Sequence, residues 1–220
     1  PQSLYKETNG LQAWQKGNGE GFAHRQKVYT DFQNPFRDGT FRAIPSIKKG
    51  QESLAEWVPN VPKTGEYAVY VSYKTVPGST ATARYTVYHQ GGETHFCVNQ
   101  QMAGGTWIYL GKFVFNEKAG REHRVTLTNN TGKAGEMVTA DAVKFGGGMG
   151  NVGRPDVSGY PRFTEAARYW MQWAGVPDSV YSESKGENDY TDDYKSRGMW
   201  VNWLAGGSES YPDGQGLNVP

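Results

Sequence analysis

The sequence predicts a mainly β protein: an antiparallel, jelly-roll-like β-sandwich with two C-terminal helices packed against it. Three observations point there. Short runs of alternating apolar and polar residues recur at a spacing of roughly 8–12 residues. Turn signals rich in Gly, Pro and Asn separate them. The apolar content is built from rings and valine, with 18 Val against 7 Leu, 14% aromatic residues, 29 Gly and 11 Pro in 220 residues. That balance favours strands and turns over helix. No helical pattern lies between the strand-like runs, which argues against a parallel βαβ sheet.

Taken in order, Thr40 to Ile47 and Ser53 to Val58 are the first two strand candidates. Glu66 to Tyr73 alternates clearly, placing Tyr67, Val69, Val71 and Tyr73 on one face. Ala83 to His89 does the same, with Ala83, Tyr85 and Val87 inward and Arg84, Thr86 and Tyr88 outward. A Gly91-Gly92 turn then leads to Thr94, Phe96 and Val98, which predicts a hairpin. Trp107 to Phe115 is a further strand, and Gly111 inside it marks a bulge. His123 to Thr128 and Met137 to Phe145 complete the series. Turns are marked by Pro62-Lys63-Thr64-Gly65, Pro77-Gly78, Gly104-Gly105 and Asn129-Asn130-Thr131-Gly132.

The pattern changes near residue 146, at Gly146-Gly147-Gly148-Met149-Gly150. Beyond it, Pro161 opens a predicted helix over 162–174, stopped by Gly175 and Pro177, with Phe163, Ala166, Ala167, Trp170, Trp173 and Ala174 as its apolar stripe. A second helix is predicted from about Tyr190 to Ala205, with Tyr190, Tyr194, Val201 and Leu204 apolar and Asp192 and Asp193 in its first turn, where the helix dipole favours negative charge. Gly216-Leu217-Asn218-Val219-Pro220 reads as a strand cut short. The expected organisation is a lead-in over 1–39 that belongs to an enclosing fold, a sandwich over 40–146, and a Gly-rich linker with a helical segment of an incomplete enclosing domain over 147–220.

Charge and composition narrow the function. A formal net charge of +1 argues against a nucleic-acid binder driven by bulk charge, and no apolar run nears the ~20 residues of a membrane span. The single cysteine, Cys97, excludes an internal disulfide and a Cys-based zinc site. Its strand-like surroundings suit a buried small side chain. His24, His89, His95 and His123 show no short metal-ligand spacing, so no metal and no cofactor is expected. Gly148-Met149-Gly150-Asn151-Val152-Gly153 fits G-x-G-x-x-G, but Arg154-Pro155 follows where a dinucleotide loop needs a helix. Glu183, Glu187, Asp189, Asp192 and Asp193 lack the register of a calcium loop and read as a solvated turn and helix start.

The aromatic surplus points to a ligand. Rings fall on both faces of two strands, so one set is left outside the core. Exposed rings beside polar groups suit sugars, whose axial C–H faces stack on an aromatic plane while Arg, Asn and Gln bond the hydroxyls. Tyr70, Arg84 and Tyr88 are assigned to one outward face, with Asn99, Gln100, Gln101 and Trp107 beside it. The competing reading is that a neighbouring sheet or domain covers that face.

Trp57-Val58-Pro59 followed by Pro62-x-x-Gly65-x-Tyr67-x-Val69-Tyr70-Val71-Ser72-Tyr73 resembles the golvesin C-terminal-like domain, often labelled xanthan-lyase-related. So do Tyr85-x-Val87-x-His89-x-Gly91-Gly92, Val98-Asn99-Gln100, Trp107-x-x-Leu110-Gly111-x-Phe113-x-Phe115 and Ala140-Asp141-Ala142-Val143-Lys144-Phe145. The resemblance implies a β-sandwich accessory domain of secreted bacterial proteins with a carbohydrate or cell-wall role, at the cell surface or in the periplasm. Ser158-Gly159-Tyr160-Pro161-Arg162 with Glu165 to Trp170 resembles the segment that follows this domain in Bacteroidetes surface proteins. Ser196-Arg197-Gly198-Met199-Trp200-Val201-Asn202 is similar to a helix of zinc-dependent N-acetylmuramoyl-L-alanine amidases, which implies that Arg197 and Asn202 neighbour a site in an enclosing domain. The ligand His and Glu motifs of those amidases have no match, and the competing reading of the tail is plain packing of Trp170, Trp173, Trp200 and Trp203, which are costly to leave exposed.

The expectation is therefore a non-catalytic accessory domain that binds a polysaccharide, peptidoglycan glycan or neighbouring catalytic domain, without nucleic acid or membrane insertion. A lyase needs a group that neutralises a uronate carboxylate and a Tyr or His base near the C5 proton, and no such pair is marked. A polysaccharide lyase, a fragment of a zinc amidase or peptidase, and a spacer without ligand are the alternatives.

Overall fold

A computed structural model describes residues 4–25, 35–102, 104–105, 107–146, 166–173, 176–185 and 187–212. The G-x-G-x-x-G match, the segment over 158–162, the first turn of the predicted helix and the strand-like end over 216–220 lie outside the described residues. The described residues divide into two compact units, with the boundary after Gly146.

The first unit is an antiparallel β-sandwich. Its first layer is a five-stranded sheet in the order β1-β4-β9-β6-β7. The strands are β1 (Leu4–Thr8), β4 (Leu54–Val58), β9 (Arg124–Thr128), β6 (Ala83–His89) and β7 (Gly92–Val98). The second layer has two three-stranded pieces, β10-β3-β2 and β11-β5-β8. These are β2 (Gln15–Lys16), β3 (Arg42–Pro45), β5 (Gly65–Ser72), β8 (Ile108–Phe115), β10 (Met137–Ala140) and β11 (Ala142–Phe145). Only Asp141 separates β10 from β11, so one chain segment bonds first to β3 and then to β5.

The alternation seen in the sequence builds the core. Ala55, Trp57, Ala83, Tyr85, Val87, Val125 and Leu127 from the first layer meet Ile44, Val69, Val71, Phe115, Val138 and Ala140 from the second in one buried cluster. Period-2 patterning puts every second side chain of each strand inside. Gly111 does mark a bulge: Val69 pairs with Gly111 but Tyr70 with Tyr109, so Leu110 is the extra residue, and Gly111 takes φ +155°, a value that favours glycine. The β6–β7 turn consists of Gln90 and Gly91, one residue earlier than predicted, because His89 pairs with Gly92. The Gln90 N–H then donates to the Val114 carbonyl at 2.9 Å, bonding the tip of this hairpin to the second layer.

Three expectations are corrected. The lead-in does not stand apart from the sandwich: β1 forms a five-residue ladder with β4 and β2 pairs with β3. Its pattern is hard to read because the β1 strand sits at a sheet edge and is mostly exposed. Cys97 is exposed, not buried, since it alternates with the inward Phe96 and Val98 and stands opposite Arg84 on the outer face.

The third correction concerns the tail. Among its described residues the second unit holds three helices, α1 (Ala167–Trp173), α2 (Asp178–Tyr181) and α3 (Asp189–Ala205). Met171, Val176 and Val180 form their core, with Met199, Trp200, Trp203 and Tyr211 packed on it. Of the four predicted apolar positions of α3, Tyr190, Tyr194 and Val201 are exposed and Leu204 is half-buried. Asn188 caps α3 by accepting the Thr191 N–H. Asp192 and Asp193 join helices instead of merely tuning the dipole: buried Asp192 lies 3.6 Å from the Arg168 guanidinium, and Asp193 accepts the Arg168 N–H at 2.9 Å.

Candidate functional site

The residues assigned to a sugar-binding face do not share one. Tyr70 lies on β5 in the second layer, whereas Arg84 and Tyr88 lie on β6 in the first. Outward therefore means opposite sides of the sandwich. Tyr70 is only 1% exposed and Trp107 3%. A second ring cluster surrounds them: Phe22 and Phe36 meet the Trp107 ring at centroid distances of 4.8 and 5.3 Å, and Tyr109 meets Tyr70 at 5.3 Å. The Lys144 ammonium lies 4.4 Å from the Tyr70 ring centre and 5.2 Å from that of Trp107, a cation–π arrangement. Desolvation pushes the Lys144 amine down to about 7.

Gln100 is fully buried. Its side-chain amide donates to the Thr139 carbonyl at 2.8 Å and accepts the Thr139 N–H at 2.9 Å. It acts as one more rung beside β10, and its burial keeps it from a sugar. Asn99 accepts the Gln101 N–H in a local turn, and Gln101 itself is exposed. Arg84 is exposed, but Tyr88 is capped by the Arg124 guanidinium 3.8 Å from its ring centre. In the helical unit, Arg197 pairs with Asp193 at 2.9 Å. Asn202, five residues on, is turned by about 140° around the helix, so the two do not converge.

A different group of residues does come together. An open cleft of about 500 Å³ is lined by His89, Gln90 and Gly92 of the β6–β7 turn and by Asn116, Lys118, Ala119, Glu122 and His123 of the β8–β9 connection. The register that sets Tyr88 opposite Arg124 brings His89 and His123 together one step further on. The Asn116 N–H donates to His123 Nδ1 at 2.9 Å, so the imidazole is neutral with its proton on Nε2. His89 accepts the Gly91 N–H at Nδ1 and bonds Thr94 Oγ1 at 2.9 Å through Nε2. The Lys118 N–H closes a turn on Asn116 Oδ1 at 2.8 Å. Burial, joined by nearby His89 and opposed by Glu122, holds the His123 imidazole below the ordinary histidine range.

That shift has a pH consequence. A histidine whose folded pKa is lowered stabilises the fold above the ordinary histidine range, and this contribution is lost as pH falls through that range towards the folded value. Protonation also removes the acceptor for the Asn116 N–H. The His123 contribution to stability is thus expected to be lost on acidification from neutrality, so that His123→Gln loses less stability over that interval than the unaltered chain. An unchanged slope in that variant would show that another group is responsible.

Among the described residues, no three His, Cys, Asp or Glu side chains are grouped as metal ligands. The sandwich matches a family model, that of the golvesin C-terminal domain, over residues 33–147. The chain belongs to the golvesin C-terminal domain family. This golvesin-type chain is similar to the xanthan lyase of Bacillus sp. (strain GL1), at 35% identity over 98 residues, which is 44% of this chain and 10% of that protein. It is also similar to the solved Paenibacillus xanthan lyase, at 26% identity, covering 66% of this chain and 13% of the other with a TM-score of 0.44. The chain therefore spans only about a tenth of the length of the xanthan lyase it matches in sequence.

The cleft was not marked by the sequence motifs. The β6–β9 pairing that joins His89 to His123 is non-local, and no short spacing records it.

Proposed function

We propose that the golvesin-type sandwich is a non-catalytic domain of a polysaccharide-acting bacterial protein, exported to the periplasm or cell surface, and that it binds carbohydrate. One observation carries the reading: 98 residues of this chain align with a short stretch, a tenth of the length, of a protein named xanthan lyase. An accessory module of this kind binds weakly at a small site, because a modest contact leaves little surplus after the cost of association. Linkage to a catalytic domain raises the effective concentration of the glycan.

The test is affinity electrophoresis of the chain through gels holding xanthan, alginate, hydroxyethyl cellulose or galactomannan. Retardation in at least one gel is expected. Unchanged mobility in all of them would remove the carbohydrate reading and favour a spacer that contacts only a neighbouring domain.

A further inference from the structure

The geometry points to the cleft between the β6–β7 turn and the β8–β9 connection as the place where this domain takes an uncharged, hydroxyl-rich glycan segment, an assignment that rests on the carbohydrate-binding reading above. Size is the first support. About 500 Å³ falls within the roughly 300–1,000 Å³ of small-ligand sites. The cleft is open, so an internal stretch of a chain can lie across it as well as an end.

The lining gives the ligand class. Apolar side chains are absent from it apart from the methyl group of Ala119. That composition disfavours an apolar ligand. One cation, Lys118, and one anion, Glu122, balance each other, and His123 is neutral. Such a surface has no net attraction for phosphate or a dense polyanion. It does offer donors and acceptors in mixed order. The Lys118 ammonium donates, the Glu122 carboxylate accepts, and the Gln90 and Asn116 amides provide further polar groups. Vicinal hydroxyls, each both donor and acceptor, are the chemical match.

The groups are also held in place. The Asn116 N–H locks the His123 tautomer at 2.9 Å. Asn116 Oδ1 fixes the Lys118 turn, and the Glu122 N–H closes on the Ala119 carbonyl at 3.1 Å. The Gln90 N–H is bound to the Val114 carbonyl at 2.9 Å. The backbone that carries these side chains is therefore fixed before binding and need not be ordered by it. Neither outer face offers the same, since Arg124 already covers the Tyr88 ring and Tyr70 is buried.

The experiment compares three forms of the full chain in hydroxyethyl cellulose and galactomannan gels, with xanthan and alginate as charged counterparts. Lys118 and Glu122 are exposed, so Lys118→Ala with Glu122→Gln is expected to leave the unfolding midpoint unchanged. This pair should weaken binding of a neutral polysaccharide by about tenfold, the loss of roughly one good hydrogen bond to a charged group. Arg84→Ala with Tyr88→Ala should stay within about twofold. In parallel, amide resonances of Gln90, Asn116 and Glu122 should shift when a soluble cello- or manno-oligosaccharide is added. Retardation of the unaltered chain that survives the cleft variant, or falls with the Arg84/Tyr88 variant instead, overturns the assignment while the carbohydrate reading stands. Retardation by the charged polysaccharides alone overturns the ligand class. No retardation in any gel overturns both.

Discussion

Replacing Gln100 with alanine should destabilise the sandwich by about 3–5 kcal/mol, measured by denaturant unfolding of the full chain. The side chain is fully buried, and its amide satisfies both the N–H and the carbonyl of Thr139. It also donates to the Tyr85 hydroxyl at 3.2 Å. Truncation strands these groups away from water, at about 1–3 kcal/mol each, and leaves a cavity. Gln100→Met separates the two effects, because it keeps most of the volume and loses the amide. It should retain more than half of the destabilisation. A loss below about 1 kcal/mol in Gln100→Ala would mean that the Thr139 groups find other partners.

Asp141 has the second large effect, and its sign is unusual for a carboxylate. It sits at the break between β10 and β11, accepts the Phe22 N–H at 2.8 Å and the Ser72 hydroxyl at 3.0 Å, and so ties the segment bearing Phe22 to the second layer. Burial pushes its carboxyl up to about 6, and the hydrogen bonds from Phe22 and Ser72 together with Lys74 offset this only in part. Between its ordinary value near 3.8 and 6, the folded chain binds more protons than the unfolded one. Stability from this group must then fall as pH rises through that window, by about 3 kcal/mol for a shift of about two units. Asp141→Asn keeps a hydrogen-bonding amide there without the charge. It should abolish this part of the pH dependence and match or exceed the unaltered chain above pH ~7. Asp141→Ala should cost about 2–4 kcal/mol at pH ~5, because Phe22 N–H loses its acceptor. If the Asn variant keeps the full slope between pH ~4 and 6, another group titrates there.

The two predictions show where sequence reasoning succeeded and where it stopped. Strands β5, β6, β7 and β9 are legible because one side of each faces the core of the sandwich, so alternation is written into Val69, Val71, Tyr85, Val87, Val125 and Leu127. The bulge at Gly111 was legible because a glycine inside an otherwise regular strand has few other reasons to be there. Strand β1 was not, because an exposed edge strand needs no alternation. The binding face failed for a different reason. Parity correctly placed Tyr70 on the outward side of β5, but parity cannot say that Phe22, Phe36 and Trp107 gather there as well. The polar amide of Gln100 suggests a ligand contact in the sequence, but it is spent on Thr139. The histidine cleft depends on a pairing between β6 and β9, about forty residues apart, which no local pattern reports.

The same non-local wiring governs how the molecule comes into being. One ladder, β6 with β7, joins strands across a two-residue turn. Others wait for far later chain: β1 needs β4, β4 and β6 need β9, and β3 and β5 need the segment over Met137–Phe145. Closing loops of that length before any contact repays them slows the search for the native state. On the ribosome, the second layer stays unfinished until Met137–Phe145 has been synthesised. Until then the edge of β5 that β11 will cover is without a partner, a hazard for premature association that lasts until that segment emerges.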